Sequence, residues 1–222
     1  MSKQVSVLFV CLGNICRSPS AEGVFRALVE KSGIEGPIRI DSCGTGDWHI
    51  GKAPDARSTQ AARKRGIDIS NLRARQFVAE DLDSFDYVLV MDQQNLADVT
   101  DIWRQNGGTR PELFLGYGRS RHQEVPDPYY GGPDGFEFVL DLIHVLGYLW
   151  KTAFVFHKEG TEQAQSWVAE RLVRLLHGHS SHVAAGIRRS ATLRKLSSEQ
   201  RLPVDKCADY LLKYSEFLRY DQ

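Results

Sequence analysis

A cysteine, a short glycine-bearing loop and an arginine lie within seven positions of one another in FVCLGNICRSPSAEG, residues 9–23. Five residues separate Cys11 from Arg17, and Ser18-Pro19 then suit the N-cap and first position of a helix. A loop of that length entering a helix can turn the backbone N–H groups of Leu12, Gly13, Asn14, Ile15 and Cys16 inward. Gly13 and Asn14 tolerate the positive φ such a curl needs. The helix N-terminus adds partial positive charge, so the loop becomes an anion cradle about the size of a phosphate. Arg17 can close it with a planar fork matching two phosphate oxygens. The same field favours a thiolate at Cys11, and the Ser18 hydroxyl can donate to it.

A thiolate on the floor of a phosphate cradle suggests one reaction. It attacks phosphorus in line and forms a cysteinyl-phosphate, while the cradle stabilises the equatorial oxygens. The departing oxygen then needs a proton. VPDPYYGGPDG, residues 125–135, supplies a carboxylic acid: Asp127 stands between two prolines, and Tyr129 and Tyr130 offer aromatic walls. After the leaving group departs, Asp127 can activate the water that hydrolyses the intermediate. No cofactor is called for. Cys11 and Cys16 are not at zinc-ribbon spacing and no second close Cys/His pair completes a site, so no metal is expected. Cys16 is either a packing residue of the loop or the partner of an oxidised Cys11 in a protective disulfide. Cys43 and Cys207 read as packing residues.

The elements that must position these groups alternate. Val5–Val10 reads as a buried strand, and the helix after Ser18 runs to Gly33. Ile38–Ile40 is a strand, Asp55–Arg65 a helix stopped by Gly66, Tyr87–Met91 a strand, Asp92–Trp103 a helix and Glu112–Leu115 a strand. Gly116–Asp134 is loop, and helix resumes at Phe136. Strands alternating with helices imply a doubly wound α/β fold of three layers around a parallel sheet. Ligands bind such sheets at the strands' C-terminal ends, where Cys11 falls.

The chain of 222 residues allows one large core, or a domain with an appendage. A formal net charge of zero gives no global attraction to nucleic acid or membrane. Four cysteines do not make a disulfide scaffold, and MSKQVSVLFVC does not read as a signal peptide. Nor does any apolar run read as transmembrane. A reducing cytoplasm is the expected location.

The run Cys11-Leu12-Gly13-Asn14-Ile15-Cys16-Arg17-Ser18-Pro19, with Asp41-Ser42-Cys43-Gly44-Thr45, Asp47-Trp48-His49, Val90-Met91-Asp92 and Asp127-Pro128-Tyr129-Tyr130, resembles the low-molecular-weight protein-tyrosine-phosphatase family over about residues 4–143. The resemblance implies a four-stranded parallel sheet, Cys11 as nucleophile, Arg17 as transition-state clamp and Asp127 as general acid. It implies Asn14 and Ser42 holding the loop in shape. Trp48 and Tyr129, with Tyr130, would line a slot for the phenyl ring of a phosphotyrosine-bearing protein. Phosphate and vanadate are then expected inhibitors. Leu72 stands where bacterial members often carry histidine, which removes one hydrogen bond bracing the loop.

Arsenate reduction, open to the same fold, needs further cysteines, and residues 44–206 contain none. Phosphatases selective for phosphoarginine resemble this chain too but tend to carry threonine where Ile15 stands. Arginine-phosphate or small-molecule phosphatase activity is therefore the alternative, with an inactive chimeric relic after it.

Composition changes along the chain. Residues 142–222 carry twelve basic against eight acidic residues and five of the seven histidines. From about Asp141 the text (DLIHVLGYLWKTAFVFHKEG, WVAERLVRLLHG, VAAGIRRSATLR, VDKCADYLLKYSEFLRYDQ) resembles the core of a DDE-type insertion-sequence transposase. In that family Asp141 would be one metal-binding carboxylate of three, and one alone cannot hold a metal pair. The expected organisation is a phosphatase domain over 1–150 and a helical, transposase-like, non-catalytic tail over 151–222. Helices are expected over Gln163–His177 and within Pro203–Arg219, with Val183–Leu196 less clear. Its charge is too slight to argue DNA binding. A truncated helical piece without its own core is expected to pack loosely.

Overall fold

The computed structural model describes residues 5–32, 38–116, 124–129, 132–158, 161–213 and 215. The largely apolar run at the start forms β1 (Ser6–Cys11), buried along its whole length. It leads through a loop into α1 (Arg17–Ser32). Next come β2 (Arg39–Gly44), α2 (Ala56–Lys64), a one-turn α3 (Asp81–Ser84), β3 (Tyr87–Val90), α4 (Gln93–Asn106) and β4 (Pro111–Leu113). The chain closes with α5 (Gly132–Phe156), α6 (Glu162–Leu176), α7 (Ser180–Leu193) and α8 (Ser198–Lys213).

The four strands are parallel, in the order β2-β1-β3-β4. This is the expected doubly wound α/β fold. From β1 the connection runs outward to β2, then returns past β1 to β3. With right-handed crossovers, the direction reverses between β1 and β3, and their C-terminal ends open a crevice. Register brings Val10 level with Cys43 and Val90, and Cys11 level with Gly44. Leu8, Val10, Phe77, Leu82, Phe85, Val88, Val90, Val99 and Leu113 pack one apolar core against the sheet. Asp55 caps α2 by accepting from the Arg57 N–H, and Asp92 caps α4 by accepting from Asn95.

Several boundaries depart from those the sequence suggests. Ser18 lies inside α1 rather than capping it, because its hydroxyl is drawn to the cysteine loop. β2 extends through Asp41-Ser42-Cys43-Gly44, a polar run held in the sheet by its ladder with β1. Gly13 does not take a positive φ; Asn14 does, at 52°. A Cβ at 13 would stand 2.9 Å from His49 Cδ2, so a larger residue there would have to displace the imidazole. The end of α1 at Gly33 lies outside the described residues.

Two compact units divide the chain. The first carries the sheet and ends, along α5, at Leu140; the second runs from Asp141 onward. Within the second, the rest of α5 packs with α6, α7 and α8. Phe156 and Trp167 rings lie 5.6 Å apart and Tyr148 and Tyr210 rings 4.6 Å. Leu149, Ala153, Leu172, Leu175, Ile187, Val204, Cys207 and Leu211 are buried. The expectation of a loosely packed tail is overturned: each helix offers an apolar face and the four faces cover one another.

Helix α5 also exceeds what was expected of any apolar segment. Asp134–Phe156 is long and apolar enough to cross a membrane, with mean hydropathy 1.4 over its best 18-residue window. It behaves as a core helix, with Phe136, Val139, Leu140, Leu142, Ile143, Val145, Leu146 and Leu149 all buried inside the protein.

Candidate active site

The loop of residues 12–16 leaves the C-terminal end of β1 and curls back over Cys11 Sγ. The Asn14 N–H donates to that sulfur at 3.3 Å, and the Ser18 hydroxyl lies 3.0 Å from it. Ser18 has one proton and two takers, because Cys43 O is 3.1 Å away. With Cys11 as a thiol, the sulfur can donate to Ser18 and Ser18 to Cys43; with a thiolate, the Ser18 proton turns to sulfur. The hydroxyl can therefore follow the charge on the sulfur, releasing Cys43 O when it does.

Asn14 holds the curl. Its amide donates to Ser18 Oγ and to Ser42 Oγ, each at 2.9 Å, and its Oδ1 accepts from the Arg75 N–H at 2.9 Å. Both amide N–H groups and the Oδ1 of Asn14 thus have a partner. Ser42 passes the chain on, donating to Glu22 Oε2 at 2.6 Å, and Glu22 is fixed by Arg26. Beneath the loop runs Gly44, where a Cβ would stand 2.7 Å from Leu12 O. The segment after β2 is laced to the loop by Thr45 N–H to Cys11 O and Gly46 N–H to Leu12 O.

Arg17 is buried at 3% exposure beside this cradle. Its Nη1 donates to Asp92 Oδ2 and to Val125 O, and its Nη2 to Asp127 Oδ2 at 3.0 Å. Burial alone would weaken the cation, but Cys11, Asp92 and Asp127 outweigh it and the guanidinium stays charged. One arginine thus meets the end of β3 through Asp92 and the acid loop through Asp127, beside the cysteine sulfur.

Cys16 is buried, and burial first, with Asp55 and Cys11 adding to it, pushes its thiol up to about 12. Leu12, Trp48 and Tyr129 are exposed. Ile15 is half-buried in the loop. Tyr130 lies outside the described residues. Asp92, Glu22 and Arg75 complete the surroundings of the site: Asp92 lies just past β3, Glu22 lies one turn beyond Ser18 in α1, and Arg75 lies in the segment whose carbonyl accepts from the Gly44 N–H. The signal for Asp92 was its place directly after a strand end, in Val90-Met91-Asp92. Among the described residues, no three His, Cys, Asp or Glu side chains lie close enough to hold a metal ion.

Residues 6–152 match the family described as low molecular weight phosphotyrosine protein phosphatase. A relative of that same description from Schizosaccharomyces pombe is 48% identical over 138 residues, covering 61% of this chain and 88% of its own. The crystal structure of YfkJ from Bacillus subtilis aligns with a TM-score of 0.60 at 44% identity, over 64% of this chain and 89% of that one. A Drosophila arginine phosphatase aligns with a TM-score of 0.59 at 33% identity, over 62% and 90%.

Proposed function

The chain belongs to the low molecular weight phosphotyrosine protein phosphatase family and is a protein-tyrosine phosphatase, and from that premise we propose that Cys11, Arg17 and Asp127 carry its hydrolysis of phosphotyrosine. The observation that supports these roles is the convergence of a nearly buried Cys11 sulfur, a buried Arg17 and the Asp127 carboxylate at the end of β1.

The phosphoryl group enters the loop of residues 12–16 and Ser18, competing with Asp127 for the Arg17 fork. Cys11 Sγ attacks phosphorus as the aryl P–O bond breaks, and Asp127 gives its proton to the departing phenol oxygen. Loop N–H groups and Arg17 take up the charge spreading over the equatorial oxygens. Asp127, now a carboxylate, accepts a proton from water as that water attacks phosphorus. The S–P bond breaks, releasing inorganic phosphate and restoring the thiolate. Asn14 and Ser42 keep the loop curled, and Trp48 and Tyr129 flank the ring. No step calls for a metal or cofactor.

The substrate is a phosphoprotein. Phosphotyrosine rather than phosphoarginine is favoured by Ile15 and by the exposed aromatics at the rim. We place the chain in the cytoplasm, on the strength of four cysteines that are all free thiols. Residues 1–150 are proposed as the phosphatase domain, and 151–222 as a transposase-like passenger. Asp141, where the transposase-like text begins, is better placed for a structural than a metal-binding part: it is fully buried and accepts from the Tyr210 hydroxyl at 3.0 Å.

The test is hydrolysis of p-nitrophenyl phosphate and of a phosphotyrosine peptide, in EDTA, beside a phosphoarginine peptide. Turnover should be lost in Cys11→Ser and fall by roughly 10²–10⁴-fold in Asp127→Ala. Full activity in Cys11→Ser, or preference for phosphoarginine, would sink the assignment.

A further inference from the structure

Asp55 and Arg57, at the start of α2, take no part in the steps above, yet they bridge the cysteine loop and the acid loop. The Asp55 N–H donates to Ile15 O at 2.8 Å, which ties this residue to the cradle. Its carboxylate receives Arg57 as a fork: Nε on Oδ1 at 3.0 Å and Nη2 on Oδ2 at 2.9 Å. The Arg57 guanidinium holds Asp55 below the usual carboxylate range. The remaining nitrogen, Nη1, donates to Tyr129 O at 3.2 Å. The guanidinium plane also lies 4.3 Å from the centroid of the buried Phe136 ring and 5.3 Å from that of Tyr129. From Tyr129 the path returns to the chemistry. Its N–H donates to Asp127 Oδ1 at 3.0 Å, and Asp127 Oδ2 meets Arg17.

The contacts close a ring: cysteine loop, Asp55, Arg57, Tyr129, Asp127, Arg17, cysteine loop. An exposed ion pair by itself contributes little. Here every arm of the guanidinium is committed, and the last arm reaches the backbone two residues from the acid.

We infer that Arg57, locked by Asp55, is a positioning residue that fixes the acid loop so that the Asp127 proton meets the leaving oxygen. The inference rests on the reading of Asp127 as general acid. Arg57 touches no reacting atom. The proton moves from Asp127 to the phenol oxygen as P–O breaks and S–P forms, and Arg57 sets only where that proton starts.

A positioned acid matters most when the leaving group cannot depart as a stable anion. The experiment therefore measures kcat/KM for phenyl phosphate, a weak leaving group, and p-nitrophenyl phosphate, a strong one. Wild type, Arg57→Ala, Arg57→Lys, Asp127→Ala and the Arg57→Ala/Asp127→Ala pair are compared. Arg57→Ala should lose about tenfold on phenyl phosphate and less than about threefold on p-nitrophenyl phosphate. Arg57→Lys, which keeps the charge without the fork, should fall between and stands in if the alanine variant does not fold. In the Asp127→Ala background the Arg57 change should cost nothing more, as expected of groups acting as a unit. A uniform loss across both substrates, or the same loss without Asp127, would overturn the inference and assign Arg57 to substrate binding or folding. If Asp127→Ala itself shows equal losses on both substrates, the general-acid role fails, and the single variant Asp127→Ala is enough to decide that point.

Discussion

Asn14 shows how much of the site is set by single side chains. It combines a left-handed backbone, φ 52°, with an amide that braces Ser18, Ser42 and the strand-side N–H of Arg75. The two properties separate by substitution. Alanine keeps the backbone strain and loses the bracing, whereas glycine relieves the strain and also loses the bracing. Asn14→Gly should therefore melt above Asn14→Ala, by a difference equivalent to about 1 kcal/mol. Both should hydrolyse p-nitrophenyl phosphate at least tenfold more slowly than wild type, because a misplaced cradle loses transition-state contacts. Thermal melts with kcat on the two variants decide it; equal activity in Asn14→Gly and wild type would show that only the backbone conformation matters. The spacing of Cys11, Arg17 and Ser18 made the cradle legible in the sequence, because a local loop carries its own geometry. Asp92 and Glu22 take their meaning from tertiary contacts that no local pattern shows: one accepts from Arg17 and the other from the Ser42 hydroxyl. At Gly13 the tolerance of positive φ goes unused, and what a side chain would meet there is His49.

At the scale of elements, the strands followed from their chemistry unevenly. β1 and β3 are apolar runs that nothing else explains. β2 was read short because Asp41, Ser42 and Gly44 serve the site, and their polarity hides a strand that the β1 ladder enforces. The one-turn α3 carries too little periodicity to be seen. How α5 is fixed against α2 is testable. Glu137 on α5 accepts from Lys64 at 2.8 Å and also from Arg65, which is largely buried. Burial alone would raise the Glu137 carboxyl, but these two cations outweigh it and hold it below its ordinary value. A carboxyl depressed in the folded state contributes stability above its unfolded pKa, roughly 4.3, and loses it as pH falls through the lower native value. Glu137→Gln should thus destabilise by about 1 kcal/mol at pH 7, a modest figure because Lys64 is solvated. The gap should persist to about pH 5 and close below roughly pH 4. Urea melts of both proteins at pH 7, 5 and 3 measure this, and a gap unchanged at pH 3 would mean that packing, not charge, accounts for the loss.

At the scale of the molecule, α5 is a single helix of 25 residues that serves two compact units. Its first part, with Phe136, Val139 and Leu140 buried, belongs to the sheet-bearing unit, and the remainder supplies one wall of the helical unit. The proposal of a catalytic domain followed by a passenger requires that the second unit can fail without the first. Ala208, fully buried on α8, is the place to make it fail. An arginine there would bury an unpartnered cation, at a cost of several kcal/mol against a total stability of about 5–15. In Ala208→Arg, part of the helical circular dichroism should disappear, and trypsin should cut within residues 161–213 far faster than in wild type. Phosphatase activity should stay within about twofold, because Cys11, Arg17, Asp127 and every group bracing them lie in the first unit. If activity falls in step with helicity, α5 transmits the damage. The helical unit is then part of what holds the catalytic fold together, and residues 151–222 are no passenger.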